Sequence, residues 1–169
     1  MFRITVALCA AFLSAAANAD LSGPVSTVKD AYASWSPDGS RIVFVSTRAG
    51  NWDIWAIDAN GENLAQLTDH EADDHYPAFS PDGTTIAFVS ARDTGDFDLF
   101  LMDADGGNQR RLNRHEALDV HPVWHPDGQS LLFNSSRADP ESENLDIYRI
   151  NVDGSDIRQL SSGPMNESL

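Results

Sequence analysis

The sequence is poor in cysteine and in basic residues. Its one cysteine, Cys9, lies near the amino terminus, and 11 lysine and arginine residues stand against 26 aspartate and glutamate residues, for a formal net charge of −15. A single cysteine excludes a disulfide framework within the chain. Because so acidic a surface repels nucleic acid and anionic lipid, we expect no nucleic-acid partner. The charge either serves solubility alone or favours cationic or cation-bridged partners.

Long hydrophobic runs are also missing. The longest, 4–13, is too short for the roughly 20 apolar residues that span a bilayer. Arg3 precedes it and the small residues Ala17-Asn18-Ala19 follow it, which is typical of a secretory signal peptide over 1–19 cleaved near Ala19. We therefore expect a periplasmic or secreted protein with no transmembrane segment in the mature chain, in which 20–30 is a connecting segment.

Recognised catalytic motifs are absent from the sequence. It has no glycine-flanked serine elbow, no His-Glu-x-x-His, no phosphate-binding glycine loop and no cysteine in a catalytic setting. We therefore predict a protein that is not an enzyme, with no catalytic residues, no cofactor and no metal ligands of recognised spacing. Calcium or manganese stays open as an alternative, because loops rich in oxygen ligands and histidine can hold these ions.

What the sequence does have is a repeat. The turn Ser36-Pro37-Asp38-Gly39 returns as Ser80-Pro81-Asp82-Gly83 and as His125-Pro126-Asp127-Gly128, at spacings of 44 and 45 residues. Short apolar runs flank each turn, and repeats of this length built from short strands are typical of propeller blades. The pattern predicts an all-β fold, a β-propeller of four-stranded antiparallel blades. Three blades are predicted, at 31–74, 75–119 and 120–162, followed by a tail at 163–169.

Spacing within the predicted blades is constant except in one loop. The predicted strands are 32–35, 41–46, 53–57 and 64–68, then 76–79, 85–90, 98–102 and 110–113, then 121–124, 130–135, 146–150 and 157–161. Only the loop between the second and third strands varies, since its arginine and aspartate lie 5, 6 and 9 residues apart. Strands must keep register while a surface loop need not.

We interpret the repeated polar residues as structural and the repeated aromatic residues as the core between blades. The structural set is Pro37, Asp38, Gly39, Arg48, Asp53, Pro81, Asp82, Gly83, Arg92, Asp98, Pro126, Asp127, Gly128, Arg137 and Asp146. In this set each arginine is expected to form an ion pair across its loop, Arg48 with Asp53, Arg92 with Asp98 and Arg137 with Asp146. The aromatic set is Trp35, Phe44, Trp55, Phe79, Phe88, Phe100, Trp124, Phe133 and Tyr148.

The connections between blades carry the candidate binding residues. In a propeller such a segment runs from the outer strand of one blade to the inner strand of the next, so its end reaches the mouth of the central channel. Tyr32, Tyr76 and His121 stand at matching positions there, five residues before their turns. The candidate rim consists of Tyr32, His70, Glu71, Asp74, His75, Tyr76, His115, Glu116, Asp119 and His121. Ordinary solvated loops and a metal site are the alternatives.

The second repeat resembles the WD-like propeller repeat of the TolB family. The resemblance is carried by Tyr76-Pro77-Ala78-Phe79-Ser80-Pro81-Asp82-Gly83, by 86–90 and by Asp98-Leu99-Phe100, and it extends over 31–161. It implies a periplasmic propeller that acts as a non-catalytic scaffold for protein partners of the cell envelope. Similar blades occur in oligogalacturonate lyases, tricorn-like proteases and prolyl-oligopeptidase-type peptidases. A metal-dependent lyase or the propeller part of such a peptidase is therefore the alternative.

Three blades are too few to close a ring, because propellers use about four to eight. The resemblance implies about six. Two hypotheses follow: the chain is part of a longer propeller, or it is a half-propeller that pairs as a homodimer into six blades. An open three-blade unit would expose apolar blade faces at both ends.

Overall fold

The Pro-Asp-Gly turns of the repeat are stabilised by side-chain hydrogen bonds within each turn. In the computed structural model, which describes residues 27–93, 95–139 and 144–162, the Asp38 carboxylate accepts hydrogen bonds from the Ser36 hydroxyl at 2.7 Å and the Ser40 amide at 3.0 Å. These bonds lower the pKa of Asp38 to about 2. Gly39 takes a positive φ of 70°, which glycine adopts without a steric penalty. Each turn therefore closes a hairpin.

Three antiparallel sheets follow from these hairpins. Their strands are β1 Asp30–Trp35, β2 Arg41–Ser46, β3 Asp53–Asp58, β4 Ala65–Gln66, β5 Asp74–Phe79, β6 Thr85–Ser90, β7 Asp98–Asp103, β8 Arg110–Arg111, β9 Asp119–Trp124, β10 Ser130–Ser135, β11 Asp146–Asn151 and β12 Arg158–Gln159. Each sheet pairs four consecutive strands in chain order. The prediction of an all-β partial propeller with four-stranded blades is confirmed. We call β1–β4, β5–β8 and β9–β12 the first, second and third blades.

The blades pack face to face around two apolar cores. In each core the earlier blade contributes one face of its sheet, here called the trailing face, and the later blade contributes its leading face. The first core consists of Val43, Val45, Ile54, Ala56 and Leu67 against Phe79, Ile86, Phe88, Phe100 and Met102. The second consists of Ala87, Val89, Leu99, Leu101 and Leu112 against Leu131, Phe133, Tyr148 and Ile150. The middle blade is thus buried on both faces, which explains its continuous apolar strands.

The aromatic prediction is only partly right. Phe44, Phe79, Phe88, Phe100, Phe133 and Tyr148 are buried. Trp35 is 59% exposed, because it lies on the leading face of the first blade, where no earlier blade among the described residues covers it. Trp55 and Trp124 are half-buried.

First strands of neighbouring blades contact one another, β1 with β5 and β5 with β9. They are therefore the innermost strands, and β4, β8 and β12 are the outer edges. No helix in the described part of the chain is long and apolar enough to cross a membrane. The predicted signal peptide and the predicted tail lie outside the described residues.

Candidate binding site on the innermost strands

A β-bulge near the start of each innermost strand sets the geometry of the candidate site. Ala31 pairs with Val45 and Ser34 pairs with Val43, so two residues of β1 face one residue of β2. The same irregularity recurs in β5 and β9. At each bulge one non-glycine residue has a left-handed backbone, with φ of 52° at Tyr32, 52° at Tyr76 and 54° at His121. This conformation costs about 1–2 kcal/mol per residue, and three blades retain it.

The strained residues bring their rings together. The ring centroids of Tyr32 and Tyr76 are 4.4 Å apart, and those of Tyr76 and His121 are 4.2 Å apart. We call these three side chains the aromatic ladder. Tyr32 is 51% exposed and His121 is exposed, while Tyr76 between them is half-buried. Burial, together with the hydrogen bond to Tyr32, raises the pKa of Tyr76 to about 12, so its phenol stays protonated at neutral pH.

His75 lies behind the ladder. Its ring is 5.5 Å from Trp52, 5.4 Å from Phe97 and 6.1 Å from Tyr32, measured between centroids. Burial lowers the pKa of His75, although the charges of Asp73 and Asp74 act in the opposite direction. The imidazole is therefore neutral at pH 7 and packs behind the ladder as an uncharged ring, with its buried Nδ1 unpaired among the described residues.

Asp74 and Asp119, which the sequence assigned to the rim, are buried ion-pair partners. The prediction that the rim includes them was wrong, because each opens an innermost strand and is fully buried. Asp74 contacts Arg92 at 2.9 Å, and Asp119 contacts Arg137 at 2.7 Å. A carboxylate that is fully buried and neutralised in this way cannot face a ligand.

The same contacts correct the predicted ion pairs of the repeated arginines. Arg48 binds Asp30 at 2.9 Å, so in all three blades the arginine pairs with the aspartate that opens the innermost strand. Arg92 also donates to the Ser90 hydroxyl at 2.8 Å and stacks over two rings, 5.5 Å from the Phe88 centroid and 5.0 Å from that of Phe100. We call this arrangement of arginine, aspartate, serine and two rings the arginine clamp.

The arginine clamp has a constant spacing in the sequence, which the prediction of its partners did not use. The arginine follows its aspartate partner by 18 residues in every blade. The expected partners were chosen because they lie close along the chain, but their spacing varies from 5 to 9 residues. A constant spacing is the better guide to a pair that joins two strands in fixed register.

The aspartates that open the third strand bind the outer strand instead. The oxygens of Asp53, Asp98 and Asp146 accept hydrogen bonds from Gln66 at 3.1 Å, Arg111 at 2.7 Å and Gln159 at 2.9 Å. In the first blade, burial and then the charge of Asp74 raise the pKa of Asp53 to about 6, against the hydrogen bonds from Gln66 and Thr68. Each of these aspartates therefore joins the third strand of its blade to the outer strand and does not pair with the arginine that the sequence suggested.

The remaining rim residues lie on exposed connections. His70 and His115 each accept a hydrogen bond at Nδ1 from the amide two residues later, Ala72 at 3.0 Å and Ala117 at 3.1 Å. Glu71 and Glu116 are exposed beside them. These histidines stabilise local turns. Among the described residues, no three or more His, Cys, Asp or Glu side chains are grouped closely enough to hold a metal ion.

Comparison with known proteins places the chain in a family. Residues 50–168 match the family model of the tricorn protease N-terminal β-propeller domain. The chain belongs to this family. Among solved structures, a putative TolB from Agrobacterium tumefaciens superimposes on the tricorn-type propeller described here with a TM-score of 0.70 and 27% identity, covering 78% of this chain and 48% of that one. The resemblance to TolB-type propellers is thereby confirmed.

Two further structures match the tricorn-type propeller in fold. TolB from Acinetobacter baumannii has a TM-score of 0.66 and 22% identity, over 81% of this chain and 33% of that one. An oligogalacturonate lyase in complex with manganese has a TM-score of 0.57 and 17% identity, over 74% of this chain and 37% of that one. The chain therefore spans half or less of the length of these relatives. No match was found among curated protein sequences.

Proposed function

We propose that this protein is an exported, non-catalytic propeller that binds a protein partner of the cell envelope through the aromatic ladder. The observation that carries the proposal is the repeated left-handed backbone at Tyr32, Tyr76 and His121. Backbone strain of this kind persists where the surrounding structure enforces it, and it concentrates at functional sites. Here the strain brings three aromatic rings together, with Tyr32 and His121 exposed on either side of the half-buried Tyr76.

The chemistry of the ladder favours an extended segment with cationic or aromatic side chains. Aromatic faces attract guanidinium and ammonium groups within about 6 Å, and exposed tyrosine is enriched in protein interfaces. The net charge of −15 adds long-range attraction for a cationic partner. Such a segment would lie across the innermost strands and stack on consecutive rings.

A pair of histidines in the third blade provides a matched test. His121 belongs to the ladder, whereas His125 lies four residues later in the β9–β10 turn, where it is also exposed and contacts Asp127. Immobilised wild-type protein, Tyr76→Ala, His121→Ala and His125→Ala would be incubated with envelope extract, and captured proteins would be quantified by mass spectrometry. We expect the two ladder variants to lose about 10-fold or more of the specific capture, since an anchoring ring contributes roughly 1–2 kcal/mol.

The His125→Ala control should capture the same proteins as the wild type. Equal capture by all four proteins, with circular dichroism showing that each is folded, would contradict the proposal. The lyase alternative rests on fold alone, because the matching lyase is 17% identical.

A further inference from the structure

Each junction between two blades buries a pair of aspartates at the starts of neighbouring strands. At the first junction, the Asp74 amide donates to the Trp52 carbonyl at 2.8 Å. This bond places Asp74, which opens β5, beside Asp53, which opens β3 directly after Trp52. Both aspartates are at most 1% exposed. The contact between the first and second blades therefore encloses two carboxyl groups, and each of them needs a partner when it is ionised.

The second junction supplies one cation for each carboxylate. The Asp119 amide donates to the Phe97 carbonyl at 2.9 Å, which places Asp119 beside Asp98 in the same way. Arg111 contacts Asp98 at 2.7 Å, and Arg137 contacts Asp119 at 2.7 Å. Two guanidinium groups therefore neutralise the two buried carboxylates, as burial of such charges requires.

The first junction has only one of these two cations. Arg92 contacts Asp74 at 2.9 Å. Gln66 stands at the outer-strand position that an arginine occupies in the second blade, and its neutral amide donates to Asp53 at 3.1 Å. The Thr68 hydroxyl lies 3.5 Å from the other oxygen of Asp53. Among the described residues, no lysine, arginine or histidine forms an ion pair with Asp53.

The charges around Asp53 disfavour its ionised form. Burial and then the charge of Asp74 raise the pKa of Asp53 to about 6, Asp69 adds to this effect, and the two side-chain hydrogen bonds reduce it. Asp73, on the connection between the blades, and the neutral His75, on β5, also lie at this junction. The Asp53 carboxyl group is therefore protonated in mild acid and ionised, without a cation, at neutral pH.

We propose that Asp53 makes the first junction a pH-sensitive joint, tight when its carboxyl group is protonated in mild acid and more readily opened when the carboxylate is ionised. The stability that the protonated group contributes is fully present below the ordinary aspartate pKa of 3.8 and is lost as the pH rises through about 6. Tyr32 and Tyr76 lie on the two blades that this joint connects, so opening would separate them and leave Tyr76 beside His121. The proposal concerns the joint and stands whether or not the ladder binds a protein.

Hydrogen exchange followed by NMR reports on each junction separately, because the Asp74 amide bonds across the first and the Asp119 amide across the second. The wild type is compared with Asp53→Asn, which resembles the protonated carboxyl group and does not titrate. His75 acts with the opposite sign, since burial lowers its pKa, but it is present in both proteins and cancels in their ratio. Between pH 5 and pH 7, protection of the Asp74 amide in the wild type relative to the variant should fall about 10-fold, as a pKa of about 6 against 3.8 implies.

The Asp119 amide is the internal control. Its protection in the wild type relative to the variant should change by less than about 2-fold over the same pH range, because it belongs to the other junction. A ratio at the Asp74 amide that does not change with pH, or one that changes equally at both amides, would overturn the proposal.

Exchange of the two outer-strand residues tests the role of the missing cation. Gln66→Arg supplies a guanidinium to Asp53 and should remove the fall in protection at the Asp74 amide. Arg111→Gln withdraws the corresponding guanidinium and should give the Asp119 amide a fall of the same sign. If neither exchange alters the pH dependence, the missing cation is not its cause and the proposal is wrong.

Direct titration requires no variant. Carbon-13 NMR of the Asp53 side-chain carboxyl in the folded wild type should show a midpoint at about pH 6. A midpoint below about pH 5, near the range of ordinary aspartates, would overturn the proposal even if every variant failed to fold.

Discussion

At the scale of the residue, the arginine clamp is the unit that keeps a buried charge in the second and third blades. The Asp74 carboxylate is fully buried, which would be costly without a partner. Arg92 neutralises it with its guanidinium 2.9 Å away and is itself covered by Phe88 and Phe100. The clamp thus joins the innermost strand, the second strand and the third strand of a blade through one side chain.

Removal of Arg92 should therefore be far more costly than removal of an exposed arginine. We expect Arg92→Ala to lower the free energy of unfolding by about 3–5 kcal/mol, because Asp74 is left buried and unpaired. The control Arg114→Ala removes an exposed arginine between two blades and should change stability by less than about 0.5 kcal/mol. Urea unfolding monitored by circular dichroism measures both, and similar losses in the two variants would contradict the role of the clamp.

Residue-level prediction succeeded where a signal was local and failed where it was not. The turn aspartates Asp38 and Asp82 bind their own turns through bonds that span two residues, which the Pro-Asp-Gly motif predicts directly. Burial of Asp74 and Asp119 depends on neighbouring blades, and one sequence shows no distance between blades. The strained φ of Tyr32 also has no local signal, since tyrosine rarely adopts that conformation.

At the scale of the element, the hairpin between the third and fourth strands locks each blade to the one before it. A Cβ atom added at Gly106 would lie 2.8 Å from the Leu67 carbonyl oxygen, and one at Gly154 would lie 2.6 Å from that of Leu112. Gln109 in the same hairpin donates to the Leu67 carbonyl at 3.1 Å. The glycine is therefore required for close contact between blades as well as for the turn.

Two glycines with the same backbone angle separate these effects. Gly106 has φ of 91° and Gly95 has φ of 88°, but a Cβ at Gly95 would meet nothing within 4 Å. We expect Gly106→Ala to cost about 2–4 kcal/mol, from strain and a backbone clash together, and Gly95→Ala to cost only about 1 kcal/mol, from strain alone. Thermal and urea unfolding would measure the difference, and equal costs would contradict the close-packing role.

The central strands were predicted well because they are apolar and β-branched on both faces. β2 and β6 have the bounds that the sequence predicts, Arg41–Ser46 and Thr85–Ser90. The outer strands β4 and β8 have two residues each, fewer than predicted. At this edge the amides of Leu67 and Thr68 both donate to the Ile54 carbonyl. Regular pairing of β4 with β3 therefore ends earlier than the apolar sequence pattern indicates.

At the scale of the whole molecule, the many acidic side chains give a large negative net charge, but those in the described part of the chain do not form an organised metal site. The chain has a net charge of −15, yet the described residues contain no group of three or more potential metal ligands. Scattered carboxylates bind divalent cations weakly, and they do so in the folded and the unfolded chain alike.

The repeat and the fold could be predicted from the sequence because they depend on the spacing of residues along the chain. A metal or a partner depends on distances between blades, which the pattern does not supply.

We therefore expect divalent ions to leave thermal stability almost unchanged. Addition of 1 mM calcium or manganese, or of EDTA, should shift the unfolding temperature by less than about 1 °C. A specific site with a micromolar dissociation constant would instead add about 4 kcal/mol at that concentration, which corresponds to many degrees for a domain of this size. Differential scanning calorimetry makes this distinction, and a shift of several degrees with manganese would favour the lyase alternative.

Within 27–93, 95–139 and 144–162, each sheet is formed by four strands that are consecutive in the chain, with no strand exchanged between repeats. A gene encoding such a protein can gain or lose the codons of one repeat, 44 to 48 in this sequence, at any point of the repeat without removing a strand from a sheet. Duplication would then add a further blade built from the same four strands, and division would produce shorter arcs of whole blades. One repeat length of sequence, counted from any position in the repeat, therefore supplies the strands of one blade.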